Sequence, residues 1–136
     1  MQAIGFYLLL PFLYLISILP FPVFYLFSDL VFVIVYYVLG YRKKVVKENL
    51  RRSFPEKSEK EIAELSRKFY HYFCDMSLEI QKTLTISKAE MMKRCKVNEG
   101  ALRLTQKLYD EKKSFIIVMG HQGNWEWGGN AFSLSC

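Results

Sequence analysis

Apolar residues dominate the first forty positions of this sequence, and they fall into two runs. Residues 3–19 are apolar apart from Ser17, a Pro-Phe-Pro sequence occupies 20–22, and a second apolar run follows. Since a membrane-spanning helix needs about 20 apolar residues, one prediction is a single helix over 3–27 that is kinked at the prolines. The other is a hairpin whose short arms are 3–19 and 21–39, and the sequence leaves both open.

The middle of the chain changes to the three- and four-residue spacing of amphipathic helices. Ser58 and Glu61 form a capping-box pattern, which opens a predicted helix of roughly twenty residues with apolar positions at helical spacing. Ser87 and Glu90 form a second such pattern, and it opens a short helix. Asn98 is the predicted N-cap of a third helix. We therefore expect a mostly helical middle.

The pattern changes again at residues 115–119, FIIVM, a short apolar run rich in β-branched residues that follows a charged turn. Such a run predicts a buried parallel strand, which would end at Gly120. The predicted fold class is therefore α/β. It comprises an N-terminal membrane helix or hairpin, the helical middle, and the first strand of an α/β domain with the loop that follows it.

Charge divides the chain at the place where hydropathy does. Asp29 is the only charged residue before position 41, whereas all 19 Lys and Arg residues follow it together with the other acidic residues. This division predicts a membrane anchor over 1–40 and a basic aqueous part over 41–136. A signal peptide does not fit, because there is no charged n-region and the apolar stretch is too long.

The basic residues are densest directly after the apolar part. Residues 41–57, YRKKVVKENLRRSFPEK, carry seven basic and two acidic side chains, and by the positive-inside rule this end is cytoplasmic. We predict a surface helix that ends at Pro55, with its basic side chains towards lipid head groups. The predicted membrane-surface residues are Arg42, Lys43, Lys44, Lys47, Arg51 and Arg52. An ordinary solvated charge run is the alternative.

The residues that can carry chemistry follow the predicted strand. His121 would lie at the strand end, where reactive groups of open α/β sheets gather, and Asn124 as N-cap places Glu126 in the first turn of a helix. A neutral imidazole takes a proton from a hydroxyl near neutral pH, and a carboxylate on its other nitrogen fixes the tautomer. We predict His121 as a general base oriented by Glu126, with Gly123 and Asn124 binding substrate.

Plainer interpretations apply to both histidines. A Glu five residues after a His arises often by chance, so His121 can also be a buried histidine with an unrelated neighbour. His71 lies on the amphipathic helix without a ligand partner at metal spacing, and we predict a structural or exposed residue. The three cysteines, Cys74, Cys95 and Cys136, are widely spaced, so neither a disulfide framework nor a metal site is expected.

Three segments occur here in a recognisable order: GYRKKVVKENLRRSFPEKSEKE at 40–61, DMSLEIQK at 75–82 and GHQGNWEW at 120–127. In this combination the chain resembles the lipid A biosynthesis acyltransferases, the late lauroyl and myristoyl transferases of Gram-negative bacteria. The resemblance implies an inner-membrane enzyme whose active site faces the cytoplasm. It would move a fatty acyl chain from acyl carrier protein to a hydroxyl of a lipid A precursor, without a metal or cofactor. The family's catalytic His and acid fall on His121 and Glu126.

The resemblance also implies a considerably longer chain. Residues 41–136 would then be the N-terminal portion of an incomplete cytoplasmic acyltransferase domain, and such a portion buries little core by itself. We expect the 136-residue chain alone to be inactive. Acyl transfer by that purified chain would refute the expectation.

Two other functions compete with this one. The first is a membrane-anchored basic protein that binds anionic lipid without catalysis, and the second is an acyltransferase that acts on another lipid acceptor. Nucleic-acid binding has only the positive charge in its favour, and the sequence contains no recognition motif for it. Substitution of His121 by alanine separates the catalytic hypotheses from the non-catalytic one.

Overall fold

The computed structural model describes residues 2–135, and the described chain is mostly α-helical. Its helices are α1 (Gln2–Ile18), α2 (Phe21–Val33), α3 (Lys43–Ser53), α4 (Glu59–Lys82), α5 (Lys88–Arg94), α6 (Glu99–Asp110) and α7 (Trp125–Ser135). A five-residue π-helical turn, Ile34–Val38, continues α2. The chain divides into two compact units. The central unit is Leu19–Glu79, and the terminal unit joins the residues up to Ile18 with those from Ile80 onwards.

Proline divides the apolar region into two helices. α1 ends at Ile18, and Pro20 takes up an extended conformation (φ −57°, ψ 145°) immediately before α2. A proline lacks the backbone N–H that a continuous helix requires and disfavours helical geometry in the residue before it, so the break falls here. By length and composition, Phe21–Val38 is the segment of the described chain that could cross a membrane, and the apolar part of α1 is shorter.

The middle helices begin where the capping patterns predicted. The Ser58 hydroxyl donates to the Glu61 carboxylate over 2.8 Å, and the Ser58 backbone N–H donates to the same oxygen over 2.9 Å. The Ser87 hydroxyl accepts from the Glu90 N–H, and Asn98 accepts from the first N–H groups of α6. Each cap satisfies backbone donors that the first helical turn leaves without a partner. These three predictions are confirmed.

The core of the central unit is aromatic. Phe32 and Tyr36 stack with 5.4 Å between their ring centroids, and Tyr36 lies 5.3 Å from Tyr70 by the same measure. The Tyr70 hydroxyl donates to the backbone carbonyl of Tyr41, and Cys74 completes the buried cluster. Burial raises the pKa of both the Tyr70 phenol and the Cys74 thiol. α2, its π-helical turn and α4 are therefore held together by a closed apolar contact.

In the terminal unit, hydrogen bonds join the end of α1 to the end of α4 and to the residues just after it. The carbonyl of Ser17 accepts hydrogen bonds from the Lys82 ammonium and from the Thr85 hydroxyl, each over 2.6 Å. A cation at a helix C-terminus meets the negative end of the helix dipole. Lys82 is buried, and the loss of water lowers its pKa, with a further contribution from the charge of Arg94. Elsewhere in this unit α5 packs against α7.

The predicted α/β fold class is wrong for the described chain, because residues 2–135 contain no strand. Residues 115–119 are exposed rather than buried, and the side chains of Ile116 and Val118 are 90% and 89% exposed. A strand needs a neighbour to accept and donate its backbone hydrogen bonds, and residues 2–135 supply none. The apolar run therefore links α6 to α7 without regular hydrogen bonding.

Candidate active site

A capped turn positions the residues at the start of α7. Gly123 has a left-handed backbone (φ 65°), a conformation that glycine adopts without steric cost. Immediately after it, the Asn124 side chain accepts the N–H of Trp127 over 3.2 Å, and the Asn124 carbonyl accepts the N–H of Gly128 over 3.1 Å. Asn124 is therefore the N-cap that the sequence predicted, and Glu126 lies in the first turn of the helix.

Packing along α7 fixes the direction of that turn. Trp127 and Ala131 lie one helical turn apart and are buried, and the Ser135 hydroxyl lies 3.7 Å from the sulfur of Met92 in α5. Residues four apart share one face of a helix, so α7 buries this face and leaves Glu126, just before Trp127, exposed. The capping turn thus presents Glu126 to solvent.

An open cleft brings the two predicted catalytic residues together. The cleft has a volume of about 450 Å³, and both His121 and Glu126 are exposed along it. Its lining residues are Ile117, Met119, Gly120, His121, Trp125, Glu126, Gly129 and Asn130. A hydroxyl-bearing substrate can therefore approach the imidazole from solvent.

In the described part of the chain, the His121 ring packs against the indole of Trp125 and is not hydrogen-bonded to the Glu126 carboxylate. Its centroid lies 4.1 Å from that of Trp125, and the two rings meet edge to face at 60°. Among the contacts of residues 2–135, no hydrogen bond joins His121 to Glu126. The two side chains share a cleft without being paired, and the orienting role of Glu126 stays a prediction.

The predicted membrane-surface residues lie on α3 and at its start. Arg42 precedes the helix with a left-handed backbone (φ 52°), and α3 contains no buried residue. Arg51 binds Glu59 through two hydrogen bonds of 2.6 and 2.7 Å, and its guanidinium lowers the pKa of that carboxyl. Arg52 pairs with Glu48 over 2.6 Å. These two arginines are therefore partly neutralised by neighbouring acids.

Lys43 takes a different position from the other basic residues of α3. Its ammonium lies 3.8 Å from the centroid of the Tyr36 ring and 5.9 Å from that of Tyr37. A cation at these distances is attracted by the negative face of an aromatic ring. Lys43 thus ties the start of α3 to the end of the apolar segment.

The sequence analysis did not predict the polar cluster that His71 forms with Asp29 and Asp75. The Nε2 atom of His71 lies 2.7 Å from an Asp29 carboxylate oxygen, and its Nδ1 atom lies 3.3 Å from Asp75. Two signals were present: Asp75 follows His71 by one helical turn, and Asp29 is the only charge in the apolar region. The Asp29 contact needed the tertiary structure, because these residues are far apart in the chain.

The family model for bacterial lipid A biosynthesis acyltransferases matches residues 1–135. No curated protein matches the chain, and neither does any solved structure. Because the match covers essentially the whole sequence, the chain belongs to the bacterial lipid A biosynthesis acyltransferase family.

Proposed function

We propose that this protein transfers a fatty acyl chain from acyl carrier protein to a hydroxyl of a lipid A precursor. His121 takes the proton of the acceptor hydroxyl as the oxygen attacks the thioester carbonyl of the donor. The thiol of the carrier leaves when the tetrahedral intermediate collapses, and it takes up a proton that the imidazolium can return. Glu126 orients the ring and stabilises its positive charge.

The shared cleft of His121 and Glu126 is the observation that carries this proposal. Both side chains are exposed along it, and only one residue separates Glu126 from the capping residue Asn124. Catalytic hydrogen bonds are often long or unformed until substrate binds. In this proposal the His121–Glu126 hydrogen bond forms when the acceptor enters the cleft and displaces water.

The start of α7 supplies the second part of the mechanism. The turn before α7 lies at the positive end of the helix dipole, which favours negative charge. We assign the backbone at Gly123 and Asn124 to substrate binding, where this dipole stabilises the oxyanion of the intermediate. The left-handed conformation at Gly123 allows this close approach.

The location proposed for the reaction is the cytoplasmic face of the inner membrane. Residues 1–40 act as the membrane anchor, and residues from 41 onwards belong to the cytoplasmic acyltransferase domain. The apolar segment, with Asp29 as its one charged residue, and the basic α3 after it support this orientation, since basic residues remain on the cytoplasmic side of a membrane anchor. They also attract anionic lipid.

The test is acyl transfer by the natural full-length protein and by His121→Ala. With acyl carrier protein as donor and a lipid A precursor as acceptor, we expect kcat to fall by about 10² to 10⁴-fold, the range of general-base catalysis. Gln122→Ala is the matched control, because Gln122 is adjacent and exposed and has no proposed role. Unchanged turnover in His121→Ala would instead favour the non-catalytic lipid-binding function.

A further inference from the structure

The outward face of α2 and its π-helical turn is continuously apolar. Its members recur at spacings of three and four residues, and their exposed fractions range from 45% to 69%. They are Val23, Leu26, Leu30, Val33 and Tyr37. The opposite face, with Phe24, Ser28, Phe32 and Tyr36, is buried. A groove of about 490 Å³ follows these residues from Leu19 to Val33, and Asp29 is the one charged residue among those that line it.

The inward face of the same segment lies along α4. The Tyr25 hydroxyl donates to Glu79 over 2.7 Å, Asp29 meets His71 over 2.7 Å, and Tyr36 packs on Tyr70. The residue numbers of these contacts increase along α2 and decrease along α4. The two segments are therefore antiparallel, with side-chain contacts between them from Tyr25 to Tyr36.

This arrangement conflicts with a membrane-crossing α2. If Phe21–Val38 crossed the bilayer, α4 would return through the hydrocarbon beside it and carry His71, Asp75 and Glu79 with it. Asp29 would lie near the bilayer centre. Ionisable side chains at that depth are costly, and α4 is not among the described segments with the hydropathy of a span.

We propose that α2 and its π-helical turn lie in the plane of one leaflet, with the Val23–Leu26–Leu30–Val33–Tyr37 face in the acyl chains and α4 covering the other face. In this position the outward side chains leave water, and the polar contacts of Tyr25 and Asp29 stay at the lipid–water boundary. The occupant of the apolar face is a phospholipid leaflet, and the anchor is monotopic.

Charge at one end of the segment supports a lipid occupant. Tyr37 and Tyr41 are exposed there, and the Lys43 ammonium lies over the Tyr36 ring. Tyrosine is enriched where membrane meets water, and basic residues near the surface bind anionic head groups. A water-soluble protein partner would not require this combination of an apolar face and a cationic end.

The experiment measures the depth of spin labels in the full-length protein. Single labels replace Leu26, Leu30, Val33 and Tyr37 in a cysteine-free background, and the protein is reconstituted in phosphatidylethanolamine–phosphatidylglycerol vesicles. Oxygen and a water-soluble nickel chelate compete for collisions with each label, which gives its depth. The reference is a label at Lys68, whose side chain is 66% exposed on α4. Each variant must keep the helix content of its parent.

An in-plane helix places all four labels at a similar depth, about 5–10 Å below the head groups, and leaves the Lys68 label in water. A crossing helix would separate the labels at 26 and 37 by about 16 Å along the membrane normal, at 1.5 Å per residue. That gradient would overturn the proposal, and so would labels that collide freely with the nickel chelate. The measurement needs no turnover, so its failure leaves the proposed acyl transfer standing.

Discussion

The two histidines of this protein have opposite environments. His71 lies between two carboxylates, Asp29 and Asp75, and its ring packs 5.2 Å from that of Phe32 by centroid distance. His121 lines an open cleft with Glu126 and rests against Trp125. His71 has the carboxylate contacts that a catalytic histidine needs, whereas His121 has the open access that a substrate needs.

The difference teaches that a His–carboxylate contact does not by itself mark a catalytic site. At His71 the Asp29 contact joins α2 to α4, and in our proposal it holds an apolar helix at the lipid surface. At His121 the exposed cleft, the capped turn and the helix start can bring a hydroxyl and an oxyanion together. If this contrast is correct, equivalent substitutions at the two histidine sites have different consequences.

The largest expected effect is on turnover. In the full-length protein, Glu126→Gln removes the charge that stabilises the imidazolium, and kcat should fall by about 10²-fold with little change in KM. Asp75→Asn makes the same chemical change beside His71 and should leave kcat unchanged. Steady-state kinetics of both variants provide the test. A rise in KM at constant kcat for Glu126→Gln would contradict the orienting role.

Thiol reactivity should distinguish the closed core from its surroundings. Cys74 is 2% exposed and its pKa is raised by burial, whereas Cys95 is only partly buried. Because the thiolate is the reactive form, Cys74 should react with iodoacetamide at least about ten times more slowly. Mass spectrometry of the timed reaction measures both rates. Equal rates would mean that the core beside His71 opens readily.

The capping residues allow stability and activity to be separated. Asn124→Ala should lower the free energy of unfolding by about 1 kcal/mol, since it removes a helix cap, and it should also lower kcat by disturbing the turn before Glu126. Asn98→Ala removes a cap of the same type from α6 and should cost similar stability without a kinetic effect. An equal fall in kcat in the two variants would show that both falls result from lost stability.

The smallest effect is expected at the Asp29–His71 contact. Both side chains are about half exposed, 52% and 49%, so solvent screens their attraction and Asp29→Asn should cost no more than about 0.5 kcal/mol. Added salt should reduce that cost further. Chemical denaturation in detergent at low and high salt measures it. A loss of several kcal/mol would show a desolvated pair and would place Asp29 deeper than we propose.

The helices could be predicted because their starts are local. Ser58, Ser87, Asn98 and Asn124 each cap a helix through N–H groups two or three residues away, so a short stretch of sequence contains all the interacting groups. The end of α3 before Pro55 follows from the same kind of local constraint. Asn124 in turn fixed the position of Glu126, which is the part of the candidate site that sequence could determine.

The strand prediction failed for the opposite reason. An apolar run such as 115–119 forms a strand only when another segment pairs with its backbone. The residues of the run itself do not indicate whether that segment is present. His71 presents the same problem, because Asp29 lies 42 positions before it. Both outcomes depended on contacts between distant parts of the chain.

The sequence alone determined the apolar region with its single charged residue, the basic segment after it, the helix caps and the family. Each of these depends on the residue itself or on its near neighbours in the chain. Only the tertiary structure decided that α4 lies along α2, that Asp29 meets His71, and that His121 rests on Trp125 in a cleft shared with Glu126. Those arrangements depend on which surfaces pack together, and packing is set by the whole fold.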